Sequence, residues 1–110
     1  MAYDEKLADR IRKALGKRKG LVAKQMFGGI AFLLNGNMCV GVHRDELIVR
    51  IDPDETDAML AKPHTRLFDL TGRPMKGWIL VAPQGIATAA GLGKWIAVAA
   101  QFAGALPPKR

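Results

Sequence analysis

The sequence predicts an α+β domain: an antiparallel sheet of about five strands packed by N- and C-terminal helices, in the order α-β-β-β-β-α-β-α. Three observations carry this. Apolar residues recur at helical spacing near both ends of the chain. The middle alternates its side chains between two hairpin-turn signals, and Gly/Pro-rich breaks divide the rest. The chain has 110 residues, 49% of them hydrophobic and 25% charged, which fits one globular domain over 1–110 with a modest core. No apolar run approaches the roughly 20 residues needed to span a bilayer, so no membrane association is expected. The N-terminus lacks the pattern of a secretory leader, and the single cysteine, Cys39, leaves no internal disulfide; the expected location is the cytoplasm.

Each element follows from local chemistry. Tyr3, Leu7, Ile11, Ala14 and Leu15 share a helical face, Asp4 and Glu5 stand near the start, and cations gather toward Gly16, as the helix dipole favours. This predicts an amphipathic helix ending near Gly16. A basic connection, "GKRKG", leads to a first strand, "LVAKQMF". Two adjacent glycines, Gly28 and Gly29, then interrupt apolar residues that otherwise continue as strand. A glycine pair can cradle a phosphate, but between antiparallel neighbours it reads as a corner, where a turn or bulge is required and a β-carbon does not fit.

The next section is the most strongly patterned. Asn35-Gly36 is a favoured two-residue hairpin turn and Arg44-Asp45 forms another. The first sets Leu33 opposite Met38 and Phe32 opposite Cys39; the second sets Val42 opposite Leu47 and Val40 opposite Val49. Alternation then predicts a core face of Ala31, Leu33, Met38, Val40, Val42, Leu47, Val49 and Ile51. The opposite face carries Ile30, Phe32, Cys39, Gly41, His43, Glu46, Ile48 and Arg50. Its apolar members Ile30, Phe32 and Ile48 need a cover from this chain or a second copy, and are the candidates for self-association.

"DPDE" gives an N-cap acid at Asp52, proline in the first helical position and Glu55 three after the cap, predicting a short helix to about Ala61 that Pro63 ends. A Gly/Pro-rich loop from Leu70 to Gly77 precedes a strand from Trp78 to Val81 closed by Pro83. Leu92, Trp95, Ile96, Ala99 and Phe102 form the last helix, stopped by Pro107-Pro108.

The net charge of +7 is concentrated in one place. Arg10, Arg12, Lys13, Lys17, Arg18, Lys19 and Lys24 occur with no acid among them, and the remaining ten basic residues balance the ten acidic ones. These seven are the candidate nucleic-acid contacts; the alternative is a solvated helix end and loop. Phosphate contacts would give weak, salt-sensitive binding without sequence choice, since no recognition helix is apparent.

Reactive groups are sparse. His43, His64 and Cys39 lack close metal-ligand spacing, and no nucleotide-binding glycine motif occurs, so neither a metal nor a cofactor is expected. Cys39 and His43 lie four apart on a strand, sharing a face without touching. Asp52, Asp54, Glu55 and Asp57 read as helix-capping acids. Trp78 and Trp95 sit in apolar patterns and read as core. The expectation is a non-enzymatic protein; a ligand pocket built on Arg73, Lys76 and His43 is the weaker enzymatic alternative.

Two stretches are less generic: Met26, Phe27, Gly28 and Gly29 ("MFGG"), and Gly72, Arg73, Pro74 and Met75 ("GRPM"). In order with the intervening "NG" hairpin, they resemble the TfoX/Sxy family in its N-terminal domain, over about Val22 to Leu106. That resemblance implies an α+β domain similar to secretion-chaperone-like folds, often paired as a dimer. It implies a regulator of DNA-uptake competence, acting as a transcriptional co-regulator with a cyclic-AMP receptor-type activator as protein partner. The full-length regulators carry a second, C-terminal helical domain; this chain is expected to be a stand-alone N-terminal module.

Overall fold

Asp4 starts the first helix. Its carboxylate accepts the backbone N–H groups of Lys6 at 2.9 Å and Leu7 at 3.1 Å, so α1 spans Glu5–Leu15 and ends at Gly16, whose φ of 64° suits glycine. Tyr3 lies outside it, in an isolated bridge to Arg44. The computed structural model describes residues 3–26, 28–68 and 75–107. Four strands follow: β1 (Leu21–Met26), β2 (Gly29–Leu34), β3 (Asn37–His43) and β4 (Glu46–Arg50). A 3-10 turn, Pro53–Glu55, leads into α2 (Thr56–Leu60); then come β5 (Thr65–Phe68), β6 (Met75–Val81), a second 3-10 turn, Pro83–Gly85, and α3 (Ala89–Ala105).

The α+β class and the element order are as the sequence predicts, with six strands among the described residues rather than about five. The added strand, β5, has four residues at the sheet edge and shows no clean alternation of burial. The sheet runs β1-β2-β3-β4-β6-β5, and every neighbouring pair is antiparallel. Asn35 (φ 52°) and Gly36 (φ 85°) both take the left-handed conformation that this tight turn requires.

A bulge corrects the expected register. Leu33 faces Met38 as predicted, but Phe32 faces Val40 rather than Cys39, because β3 carries one extra residue at Cys39. The extra residue puts Met38 and Val40 of β3 on opposite faces, and β2 as a whole takes the face opposite to the one expected. Ile30, Phe32, Leu34 and Cys39 therefore join Val40, Val42, Leu47, Val49 and Ile51 in the main core, beneath α1 and α3. Ala31, Leu33 and Met38 go to the other face, where Met38 and Trp78 flank a smaller cluster of Ile48, Phe68 and Leu80.

The proposed self-association set is corrected with it. Ile30 and Phe32 lie under the chain's own helices, and Ile48 is buried on the opposite side of the sheet, so the three share no face. What remains open on that second face is Val22, 60% exposed, with half-buried Leu33 and Met38 beside it.

The remaining links are specific. Asp52 caps the 3-10 turn by accepting Asp54 N–H at 2.9 Å, and α2 then runs from Thr56 to Leu60, shorter than one helix from Pro53 to Ala61. Buried Thr56 ties that turn to the sheet: its hydroxyl donates to Pro53 O (2.7 Å) and accepts Gly77 N–H (2.9 Å). Helix α3 begins where Thr88 Oγ1 accepts Gly91 N–H, and it packs over β3 and β4. Its far end is held where Asn37 Nδ2 donates to Pro107 O at 2.9 Å. Gly28 and Gly29 do form a corner between β1 and β2. Gly28 takes φ 73°, and a β-carbon on Gly29 would overlap the Val42 carbonyl oxygen.

Candidate functional site

The seven clustered cations do not act alike once folded. Arg10 is half-buried and staples α1 to the start of α3, donating to Ile86 O at 2.8 Å and Thr88 O at 3.4 Å. Arg12 pairs with Asp9 at 2.8 Å, and its guanidinium stands 5.6 Å from the Phe32 ring centre, over the core edge. Arg18 donates to Leu15 O at 3.0 Å, closing the end of α1. Lys13, Lys17, Lys19 and Lys24 are exposed, with no side-chain hydrogen bond or ion pair to a described residue. These four, with Arg18, form a basic rim that runs from the last turn of α1 around to β1.

That rim borders an edge strand. β1 pairs only with β2, and every described side chain after Leu21 in it is exposed. Register puts Val22 and Lys24 on the open face of the sheet, across from Leu33 and Ala31. An exposed edge presents unpaired backbone donors and acceptors, and lysines beside it favour acidic over basic neighbours.

The other candidates are dispersed. The bulge sends Cys39 to the helix side of the sheet, while His43 closes β3 on the opposite face, so the two do not share a face as the alternation predicts. His43 Nδ1 is buried without a hydrogen-bond partner among the described residues. Among the described residues no group of three or more His, Cys, Asp or Glu side chains is placed to hold a metal. Phe27, Gly72, Arg73 and Pro74 lie outside the described residues; Met75 opens β6, opposite Phe68, and Lys76 is exposed. His43 and Lys76 sit on strands separated by β4. Trp95 is buried in the main core; Trp78 is half-buried against Phe68, with the Arg50 guanidinium 5.1 Å from its ring centre.

Burial pushes the Cys39 thiol up from 9.0 to about 11, opposed by the nearby charge of Arg18. Native protein at pH 8 is therefore expected not to react with a disulfide reagent until it unfolds. A raised acid pKa stabilises the fold below the unfolded value and loses that contribution as pH climbs through the folded one. The window here is about pH 9 to 11, with a loss of about 2–3 kcal/mol. Urea midpoints of the native chain and Cys39→Ala, compared at pH 8 and pH 10.5, check this: the native chain should lose more stability over that interval than the variant. Equal losses would mean the thiol is not held neutral by burial.

A six-stranded antiparallel sheet, helices on one face and a basic rim along its free edge define a small α+β domain whose distinctive surface is charged. The chain belongs to the TfoX N-terminal domain family, which matches residues 13–103. Compared with curated proteins and with solved structures, the chain matches none. No described helix is long and apolar enough to cross a membrane.

Proposed function

We propose that this chain is a non-enzymatic regulatory or adaptor domain, acting as a transcriptional co-regulator through protein contacts. The family match over residues 13–103 carries the reading. Its partner surface is the β1 edge, where an acidic extended segment of a regulator, such as a transcription activator, adds a strand and Lys17, Lys19 and Lys24 meet its carboxylates. A second reading rests on the same exposed lysines: direct, weak binding of nucleic acid through phosphate contacts.

Fluorescence anisotropy with a labelled duplex of arbitrary sequence, at low and near-physiological salt, separates the two. The adaptor reading expects no measurable binding near physiological salt. Binding there, with log affinity falling against log salt at a slope of about −4, would move the chain to the second reading, because four exposed lysines release about that many counterions. Replacing Lys17, Arg18 and Lys19 with glutamine should then nearly abolish it. Light scattering on the same samples gives the mass, and hence whether the domain pairs with itself.

A further inference from the structure

A cleft of about 610 Å³ opens between α2, the turn before β5 and the first half of α3, well apart in sequence from the basic rim. Met59, Trp95 and Val98 give it an apolar wall, and Lys62, His64 and Lys94 stand around it with no Asp or Glu in the lining. All three polar side chains are exposed and make no hydrogen bond or ion pair with a described residue. The backbone fixes the position of one of them. His64 takes φ 66°, uncommon for a residue with a side chain, and is held there by Ala82 N–H donating to its carbonyl at 2.8 Å.

Two glycines keep the mouth tight and unfilled. A β-carbon on Gly91 would stand 3.1 Å from Gly85 O, and one on Gly85 would stand 2.7 Å from Val81 Cγ1 and 3.2 Å from His64 Cβ. Gly91 also lies in the first turn of α3, so the positive end of that helix adds to the field of Lys62 and Lys94.

We infer that this cleft binds a small amphipathic anion, an apolar body bearing a carboxylate, phosphate or sulfonate. The apolar wall takes the body, and Lys62 and Lys94 take the charge, with His64 beside them at the mouth. The volume falls within the range of roughly 300–1,000 Å³ usual for small-molecule sites, which bury most of an occupant among apolar side chains and orient it with a few polar ones. The unpaired cations select the sign of the ligand. This inference is independent of which macromolecule the basic rim meets.

The test titrates the full chain with 8-anilinonaphthalene-1-sulfonate and with N-phenyl-1-naphthylamine, which has the same rings and no sulfonate. One molecule of the sulfonate per chain is expected, bound about five- to tenfold more tightly than the neutral probe, as two exposed charge contacts imply. The double variant Lys62→Gln/Lys94→Gln should remove that preference and leave the neutral probe unchanged. Ala97→Trp, at an exposed position on the rim, should block both probes. If that variant fails to fold, the surface lysine pair still decides the question. Equal binding of the two probes, or sulfonate binding indifferent to the lysine pair, would overturn the proposal in favour of a merely apolar patch. A dimer mass that Ala97→Trp converts to monomer would overturn it too, because the occupant would then be a second copy of the chain.

Discussion

Gly29→Ala is expected to unfold the domain or to cost it more than about 3 kcal/mol, whereas Gly28→Ala should cost only about 1–2 kcal/mol. The two glycines are adjacent, yet they are required for different reasons. Gly28 has φ 73° with nothing within 4 Å of where a β-carbon would stand, so alanine there meets only the intrinsic penalty of the left-handed region. Gly29 has an ordinary φ but opens β2 directly against β3, and its added carbon would overlap the Val42 carbonyl oxygen. Backbone cannot swing aside as a flexible side chain can, so β2 and β3 must separate, at the centre of a sheet whose neighbours on both sides depend on them. Urea unfolding of the two single variants checks this. Similar small losses for both would mean the close approach at Gly29 relaxes without consequence, and that the pair is only a turn.

Those glycines also mark how far the sequence could be read. Their role as a corner was legible from an apolar strand broken by two residues without side chains, and the Asn35-Gly36 turn was legible because only certain residues tolerate its dihedrals. The helix ends at Asp4, Gly16 and Asp52 were legible for similar reasons, since each satisfies a backbone group that the helix leaves open. The bulge at Cys39 was not legible. Both registers place apolar residues on both faces of β2, and nothing in "FLLNGNMCV" prefers one slip over the other until α1 and α3 press on the sheet. One extra residue then moved Phe32 from a face in search of a cover to the centre of the core. The basic segment was visible as charge but not as geometry. Arg10 and Arg12 are spent on contacts from α1 to residues far along the chain, which spacing alone cannot reveal. The cleft beside α3 escaped altogether, because Met59, Lys62 and Lys94 meet only through tertiary packing.

Phe32→Ala is the second large effect, and it discriminates between the two places this side chain could occupy. The ring is 1% exposed in the main core and has the Arg12 guanidinium over it, so truncation removes a large buried volume and leaves a cavity that surrounding backbone cannot close. The expected loss is about 3–5 kcal/mol, a large part of the 5–15 kcal/mol that holds a typical domain, with a fall in melting temperature of about 10–20 °C. The mass by light scattering should stay as in the native chain at temperatures where both are folded, since Phe32 is buried in the chain's own core. Val22→Lys supplies the contrast. That residue is 60% exposed on the open face, so a charge there should leave stability within about 0.5 kcal/mol, and any pairing through this face would be lost. A Phe32→Ala chain that melts like the native one but changes its mass would return Phe32 to an intermolecular surface, and with it the register that has no bulge.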